Sequence, residues 1–496
     1  MALPQHVPPF HPRVFVGLRK RVEHTHLPHM PKGGEFEEFV SSFLQQPGRY
    51  VERQLHEKEQ HDVLELDIVL TDYLGNDFKT HIVEVKSGSW GCTDLFKLCG
   101  QMRYLKVESG HVVALGNDAG AEPDFMRSVA EKLGIDIQWV PAYSEAGKAL
   151  EPLMPQGWTG EPGVSELWRY SYWLDRCLAR RLNDLARSTS RRGPQEARAI
   201  QADLQTNLFS RDLLCRTTGL YDTYKKARHL SARWTHEEHG SDFDHPPSEQ
   251  IPPAAFKATY YDEVERPHDL DVAAWLEHRM RMAVLKNAVD SLAGRNAASA
   301  PGEPRVTADG RTTPLRNALP RTFQTGVDAL VNRRWVHLYP VLWQWFMWLC
   351  GGVILLDHES EQYSWLSDRT GMPCDVIPEA LSAFDLLFPT QRGWLRSQGP
   401  NSRVKVMALM PVPFLGIGAN LCRLLFAEDG EFASLRTSGN FTQRDLLRWN
   451  NNLCEYLTRY GLSDSERTTK AGRPGRSTET STAGVGAHIG FTVEPQ

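Results

Sequence analysis

Between Leu64 and Gly88 the chain reads LELDIVLTDYLGNDFKTHIVEVKSG, two apolar runs that each carry charged residues where a plain core strand would exclude them. Side chains on a strand alternate between its faces. On that rule Leu64, Leu66, Ile68 and Leu70 point one way, and Glu65, Asp67 and Val69 the other. In the second run Ile82, Glu84 and Lys86 share a face opposite Val83 and Val85. The intervening Leu74-Gly75-Asn76-Asp77 is turn-forming. Val63 to Thr71 and Thr80 to Lys86 are therefore expected to pair as a hairpin that brings Asp67, Glu84 and Lys86 to one edge of a sheet.

The flanking sequence completes a small α/β unit. Phe36, Phe39, Val40, Phe43 and Leu44 recur at helical spacing, and Pro47-Gly48 ends that helix. After the hairpin come a helix over Cys92 to Val107, a buried strand over His111 to Leu115, a helix over Pro123 to Leu133 and a strand over Ile135 to Val140. The expected architecture over residues 31–150 is one mixed sheet flanked by helices, preceded by an N-terminal extension over residues 1–30.

The converging residues have a clear chemical use. Two carboxylates, Asp67 and Glu84, plus a backbone carbonyl, that of Val85, supply hard oxygen ligands suited to Mg²⁺, with Mn²⁺ as a substitute. Such an ion lowers the pKa of a bound water and neutralises charge on a scissile phosphate. Lys86, two residues beyond Glu84, would orient or help deprotonate that water and stabilise developing charge.

Asp67 followed by Glu84-Val85-Lys86 resembles the Asp…Glu-x-Lys signature of the PD-(D/E)xK, or restriction-endonuclease-like, nucleases, with Leu66 standing where the nominal Pro often is. Gly34-Glu35-Phe36-Glu37 at the start of the first helix looks like the helical Glu that many members add to the metal site. Glu37 fits that position best and Glu38 is the competing choice. Gln101-Met102-Arg103-Tyr104 is similar to the Gln-and-Tyr helix motif of RecB-like members, with one residue fewer between the two. Lys97, Gln101 and Tyr104 fall at i, i+4 and i+7, and a polar stripe there would hold a phosphate backbone. The resemblance implies a metal-dependent nuclease with Asp67, Glu84, Lys86 and Glu37 as its catalytic set. It also implies nucleic acid as partner, DNA ahead of RNA, and by association a restriction or antiviral defence role. A lone Glu-x-Lys is usually a solvated charged pair; what lifts this one is the order helix-Glu, strand-Asp, strand-Glu-x-Lys, helix-Lys/Gln/Tyr within one small domain.

The remaining 350 or so residues match no motif of comparable strength. Residues 160–300 read as a mainly helical region, 301–320 as an exposed linker, 321–462 as a Trp-rich α/β or α+β domain, and 463–496 as a disordered tail. Trp335 to Leu356 has the length and apolarity of a membrane span, but His337, Pro340, Gln344 and Gly351-Gly352 suit a helix breaking into a strand inside a core. Gly416-Ile417-Gly418 lacks the third glycine of a phosphate loop and reads as packing. Arg176, Arg180, Arg181, Arg187, Arg191 and Arg192 form a run that is either a solvated helix face or a track for phosphates.

With a net charge of -5, any nucleic-acid site must come from local basic clusters. The eight scattered cysteines show no zinc-like spacing, and the N-terminus carries no apolar signal, so a reduced cytoplasmic setting is expected. Two other functions compete: a nuclease-like fold that binds nucleic acid or protein without cutting, and a membrane-associated or sensor role for the C-terminal region. Homo-oligomerisation stays open.

Overall fold

A computed structural model of the chain describes residues 27, 30–58, 62–73, 79–107, 109–116, 123–154, 162–188, 220–234, 269–292, 304–306, 312–314, 319–390, 393–397, 404–408 and 410–426. The expected turn at Leu74 to Asp77, Arg191 and Arg192, and the expected tail lie outside the described residues.

The N-terminal region is α/β, with a mixed five-stranded sheet in the order β1-β2-β3-β4-β5. Its strands are β1 (Arg49–Lys58), β2 (Asp62–Asp72), β3 (Lys79–Lys86), β4 (Ser109–Leu115) and β5 (Ile135–Val140). The first three pair antiparallel and the last two join in parallel. Parallel neighbours need a crossover, supplied by α2 (Cys92–Leu105) and α3 (Pro123–Lys132). Helix α1 (Gly34–Leu44) covers the opposite face, where Phe36, Phe39, Val40 and Leu44 pack on Val51, Ile68, Leu70, Val83, Val85 and Val113. Each such side chain, buried, contributes about 1.5–3 kcal/mol. Leu95, Leu98 and Met102 of α2 pack with Ile82, Val112 and Ala114 on the other face.

One local expectation needs correction. Leu64, Leu66, Ile68 and Leu70 do not serve one core: Ile68 and Leu70 pack under α1, while Leu64 and Leu66 join the larger cluster. The change falls beside Gln54 of β1, whose φ of 49° bends the edge strand at the position facing Asp67. Strand β1 itself was not legible as a strand, because Arg49-Tyr50-Val51-Glu52-Arg53-Gln54 lacks the apolar alternation of a half-buried strand. It is buried all the same, since its charges find distant partners. Arg49 is held by Asp72 at 2.5 Å, Arg53 stacks on Tyr172, and Glu52 lies 3.6 Å from Lys286.

The partners of β1 come from the rest of the chain. The longer helices there are α4 (Pro162–Ser188), α5 (Leu220–Trp234), α6 (Asp269–Leu292), α7 (Arg321–Val331), α8 (Tyr339–Trp348), α9 (Glu359–Thr370) and α10 (Val412–Phe426). Within the stretch expected as a linker, β6 (Pro304–Val306) and β7 (Thr312–Pro314) pair as a two-stranded ribbon. A three-stranded antiparallel sheet of β8 (Val353–Leu355), β9 (Leu395–Ser397) and β10 (Val404–Met407) has β10 at its centre. One hydrophobic cluster runs from Tyr50 through Trp168, Trp275 and Trp345 to Leu421, so the sheet and the helices share a core.

An edge strand leaves unpaired N–H and C=O groups that must be covered. At Val51 the cover is the Gln344 side chain of α8: Nε2 donates to the Val51 carbonyl at 2.8 Å, and Oε1 accepts from the Val51 N–H at 3.2 Å. That explains a glutamine inside the otherwise apolar segment Trp335 to Leu356. The segment forms α8, breaks at Gly351 and Gly352, both at positive φ, and continues as β8. Among the described residues no helix is long and apolar enough to cross a membrane.

Gly416-Ile417-Gly418 lies within α10, where a Cβ on Gly418 would collide with the carbonyl oxygen of Cys350. Alanine normally gains about 1 kcal/mol over glycine inside a helix, and overpacking against backbone costs about 1–3 kcal/mol. Gly418→Ala is therefore expected to lower the thermal midpoint, and a rise in that midpoint would contradict the contact.

Candidate active site

The β2–β3 ladder runs in register from Asp72↔Lys79 to Ile68↔Val83 and then stops. Its next pair would be Asp67 with Glu84. Glu84 lies on the side of Ile82, whereas Asp67 falls where β2 changes the core on which it packs, and its carboxylate turns to β3. In place of a backbone partner, the N–H of Val85 donates to Asp67 Oδ2 at 2.8 Å. The acid thus holds β3 where β2 leaves it.

Glu84 is almost wholly buried. Its Oε1 accepts from Lys86 Nζ at 2.7 Å and from Lys97 Nζ at 3.2 Å, while its Oε2 is buried with no hydrogen-bond partner. A bare buried carboxylate oxygen costs folding energy unless something else satisfies it. Lys86 also reaches Asp94 Oδ1 at 3.0 Å. Burial by itself would lower the Lys86 pKa, but hydrogen bonds and charge from Glu84 and Asp94 raise it above the ordinary lysine range. Lys86 is a fixed cation.

Asp67 responds in the opposite sense. Burial, then the charges of Glu84 and Glu37, push its pKa up to about 7 against the hydrogen bond from Val85. Crowded acids of this kind are what a divalent cation relieves. Since the folded pKa lies above the unfolded one, the proton bound to Asp67 stabilises the fold fully at low pH, and that stability is lost as pH rises through about 7. In EDTA the thermal midpoint is expected to fall between about pH 4 and pH 7. Asp67→Asn should flatten that decline and Mg²⁺ should offset it; equal declines in wild type and Asp67→Asn would refute the assignment to Asp67.

Helix α1 brings in the fourth acid. Its first turn is anchored by the Gly33 N–H, which donates to Ser87 Oγ at 2.7 Å, one residue past Lys86. Glu37 Oε2 accepts from Gln54 Nε2 at 3.2 Å, and burial followed by the nearby charges of Glu65 and Glu84 raises its pKa against Gln54 and Arg53. Glu38 turns away from this group. It pairs with Arg176 at 2.7 Å and lies 4.0 Å from Arg53, so it ties α1 to α4. The first arginine of the Arg176 run is thereby committed to an internal ion pair.

The α2 stripe is only partly formed. Lys97 and Tyr104 are about half exposed, but Gln101 is 6% exposed and its Nε2 donates to the Glu65 carbonyl at 2.8 Å. At about 100° per residue, Gln101 lies about 40° from Lys97 toward the Leu98–Met102 side, whereas Tyr104 lies about 20° the other way. Spacing of i and i+4 was enough to turn the glutamine into the core, where it braces β2 just before Asp67.

Asp94 and Gln54 were missed from sequence. Asp94 had a signal: an acid at the third helical position, where its Oδ2 accepts from the Gly91 N–H at 2.9 Å. Gln54 had none, because the strand that carries it was not legible. Among the described residues no group of three or more His, Cys, Asp or Glu side chains is arranged to hold a metal ion. Two acids and a carbonyl fall short of that count, and Glu84 Oε2 is the atom that fits an ion. No family model matches the chain, and neither a curated protein nor a solved structure matches it.

Proposed function

We propose that the chain is a Mg²⁺-dependent nuclease that hydrolyses phosphodiester bonds, in DNA ahead of RNA, on a restriction-endonuclease-like fold built from α1, the five-stranded sheet, α2 and α3. The observation that carries this reading is Glu84: a buried carboxylate with one oxygen held by two ammonium groups and the other bare, beside an Asp67 that resists ionising. Asp67, through the oxygen not given to Val85, Glu84 through Oε2, and the Val85 carbonyl would hold the ion, with Glu37 adjacent. Bound there, Mg²⁺ supplies a hard Lewis acid that acidifies a water and offsets phosphate charge.

The side chains do the rest. Lys86, kept protonated by Glu84 and Asp94, orients the attacking water and stabilises negative charge on the phosphate; the proton of the water passes to solvent, which also protonates the leaving oxygen, because this lysine is already protonated. Lys97 and Tyr104, half exposed on α2, hold the phosphate backbone. Gln101 takes a bracing role behind β2 in place of the phosphate contact expected from its spacing. A cytoplasmic setting goes with this reading, given the scattered cysteines.

A second reading, a site that binds without cutting, draws on the same ion pairs: two lysines on Glu84 Oε1 already balance much of its charge. Incubation of linear and circular DNA and of RNA with Mg²⁺, Mn²⁺ or EDTA separates the two. Cleavage with either metal and none in EDTA is expected, and the circular substrate reports internal cutting. Binding with no cleavage of any substrate would leave the second reading.

A further inference from the structure

On the other face of β3, toward its beginning, a second polar group has no part in the chemistry above. His81 pairs with Ser109 across β3 and β4, and Val83 with His111, so His81, Ser109 and His111 share the face covered by α1. Three of their atoms converge. His81 Nδ1 lies 2.9 Å from Ser109 Oγ, Ser109 Oγ 3.1 Å from His111 Nε2, and His111 Nε2 3.3 Å from His81 Nδ1.

The outward nitrogens of both rings face carboxylates. His81 Nε2 is 3.2 Å from Asp72 Oδ2, and His111 Nδ1 is 3.5 Å from Asp136 Oδ2. Ligating imidazoles characteristically turn their second nitrogen to a carboxylate in this way, which fixes the ring and leaves the inner lone pair for the metal. With Zn–N bonds of about 2.0–2.1 Å, a tetrahedral ion holds two nitrogens roughly 3.3 Å apart. The His81–His111 separation has that value already.

We propose that His81 Nδ1, His111 Nε2 and Ser109 Oγ, with one water as the fourth ligand, bind one Zn²⁺ ion that clamps β3 to β4. Two imidazoles and a hydroxyl favour zinc over the hard Mg²⁺ that suits the carboxylates around Asp67. Arg49, bound to Asp72 at 2.5 Å and 3.0 Å, is the nearby opposing charge, and Asp72 and Asp136 outnumber it. The two centres sit on opposite faces of one strand, three residues and about 10 Å apart along it.

The test uses the full chain carrying Asp67→Asn, stripped with EDTA, so that the carboxylate site is disabled and its failure cannot be confused with failure here. Cobalt chloride should give the visible bands of a four-coordinate ion, zinc chloride should displace it with one equivalent per chain, and zinc should raise the thermal midpoint. His111→Ala and His81→Ala should abolish uptake, and Asp136→Asn should weaken it by about 10- to 100-fold. Circular dichroism confirms that each variant is folded. If the histidine variants do not fold, the cobalt spectrum of the parent chain decides alone. No uptake, a six-coordinate spectrum, or uptake unchanged in folded His111→Ala would overturn the proposal and leave a hydrogen-bonded knot.

Discussion

Lys86→Ala is expected to lower the cleavage rate by about 10²–10³-fold, the usual loss when one fixed charge aimed at a developing anion is removed. The fold should survive the change. Glu84 keeps Lys97 on Oε1, and Asp94 keeps the Gly91 N–H, so neither carboxylate is stranded. Lys86→Arg should recover little, because a planar fork cannot reproduce a point cation seated between Glu84 and Asp94. Asp67→Asn should abolish cleavage while the apo chain becomes more stable above about pH 7, since the mutual repulsion with Glu84 and Glu37 disappears and an amide oxygen still accepts from Val85. Loss of activity coupled to a gain in stability marks a site assembled against folding, and it is read by single-turnover cleavage beside thermal melts in EDTA. Retention of full activity in either variant would end the nuclease proposal.

The largest expected effect on stability lies outside that site. Arg281 and Glu277 of α6 are joined at 2.6 Å, their side chains are wholly buried, and the guanidinium stacks at 4.7 Å on both Phe388 and Trp394. Removing one partner of a buried pair costs about 3–5 kcal/mol. Arg281→Ala is expected to fall in that range by urea unfolding, with a cavity beside the two rings adding to the loss. The double change Glu277→Gln with Arg281→Met should recover much of it, because both members of the pair are then uncharged. An Arg281→Ala chain within about 1 kcal/mol of wild type would mean that the pair is solvated.

Much of the site was legible because its constraints are local. Alternation along two short strands marks Asp67 and Glu84 as charged positions within apolar runs, and the Glu-x-Lys spacing sets Lys86 on the face of Glu84. The helices and strands from Cys92 to Val140 were equally legible, because apolar residues recur there at the helical period or fill strands covered on both faces. What was lost depended on partners distant in sequence. Strand β1 is polar by composition and became a buried edge only through Asp72, Tyr172, Lys286 and Gln344. The separation of Glu37 from Glu38 needed Arg176, more than a hundred residues away.

By itself the sequence determined which groups were available: two acids and an amine on strands of fixed periodicity, an acid in the first turn of a helix, and an apolar stretch interrupted by glycines. Tertiary structure alone decided how those groups are used. It ended the β2–β3 ladder at Ile68 and Val83, so that Asp67 took up the Val85 N–H, and it left one oxygen of Glu84 bare. It turned Gln101 inward and brought His81, Ser109 and His111 to a common point. The reason is physical: periodicity fixes the direction in which a side chain leaves its own element, but its charge state and partners depend on what other elements place within a few ångströms.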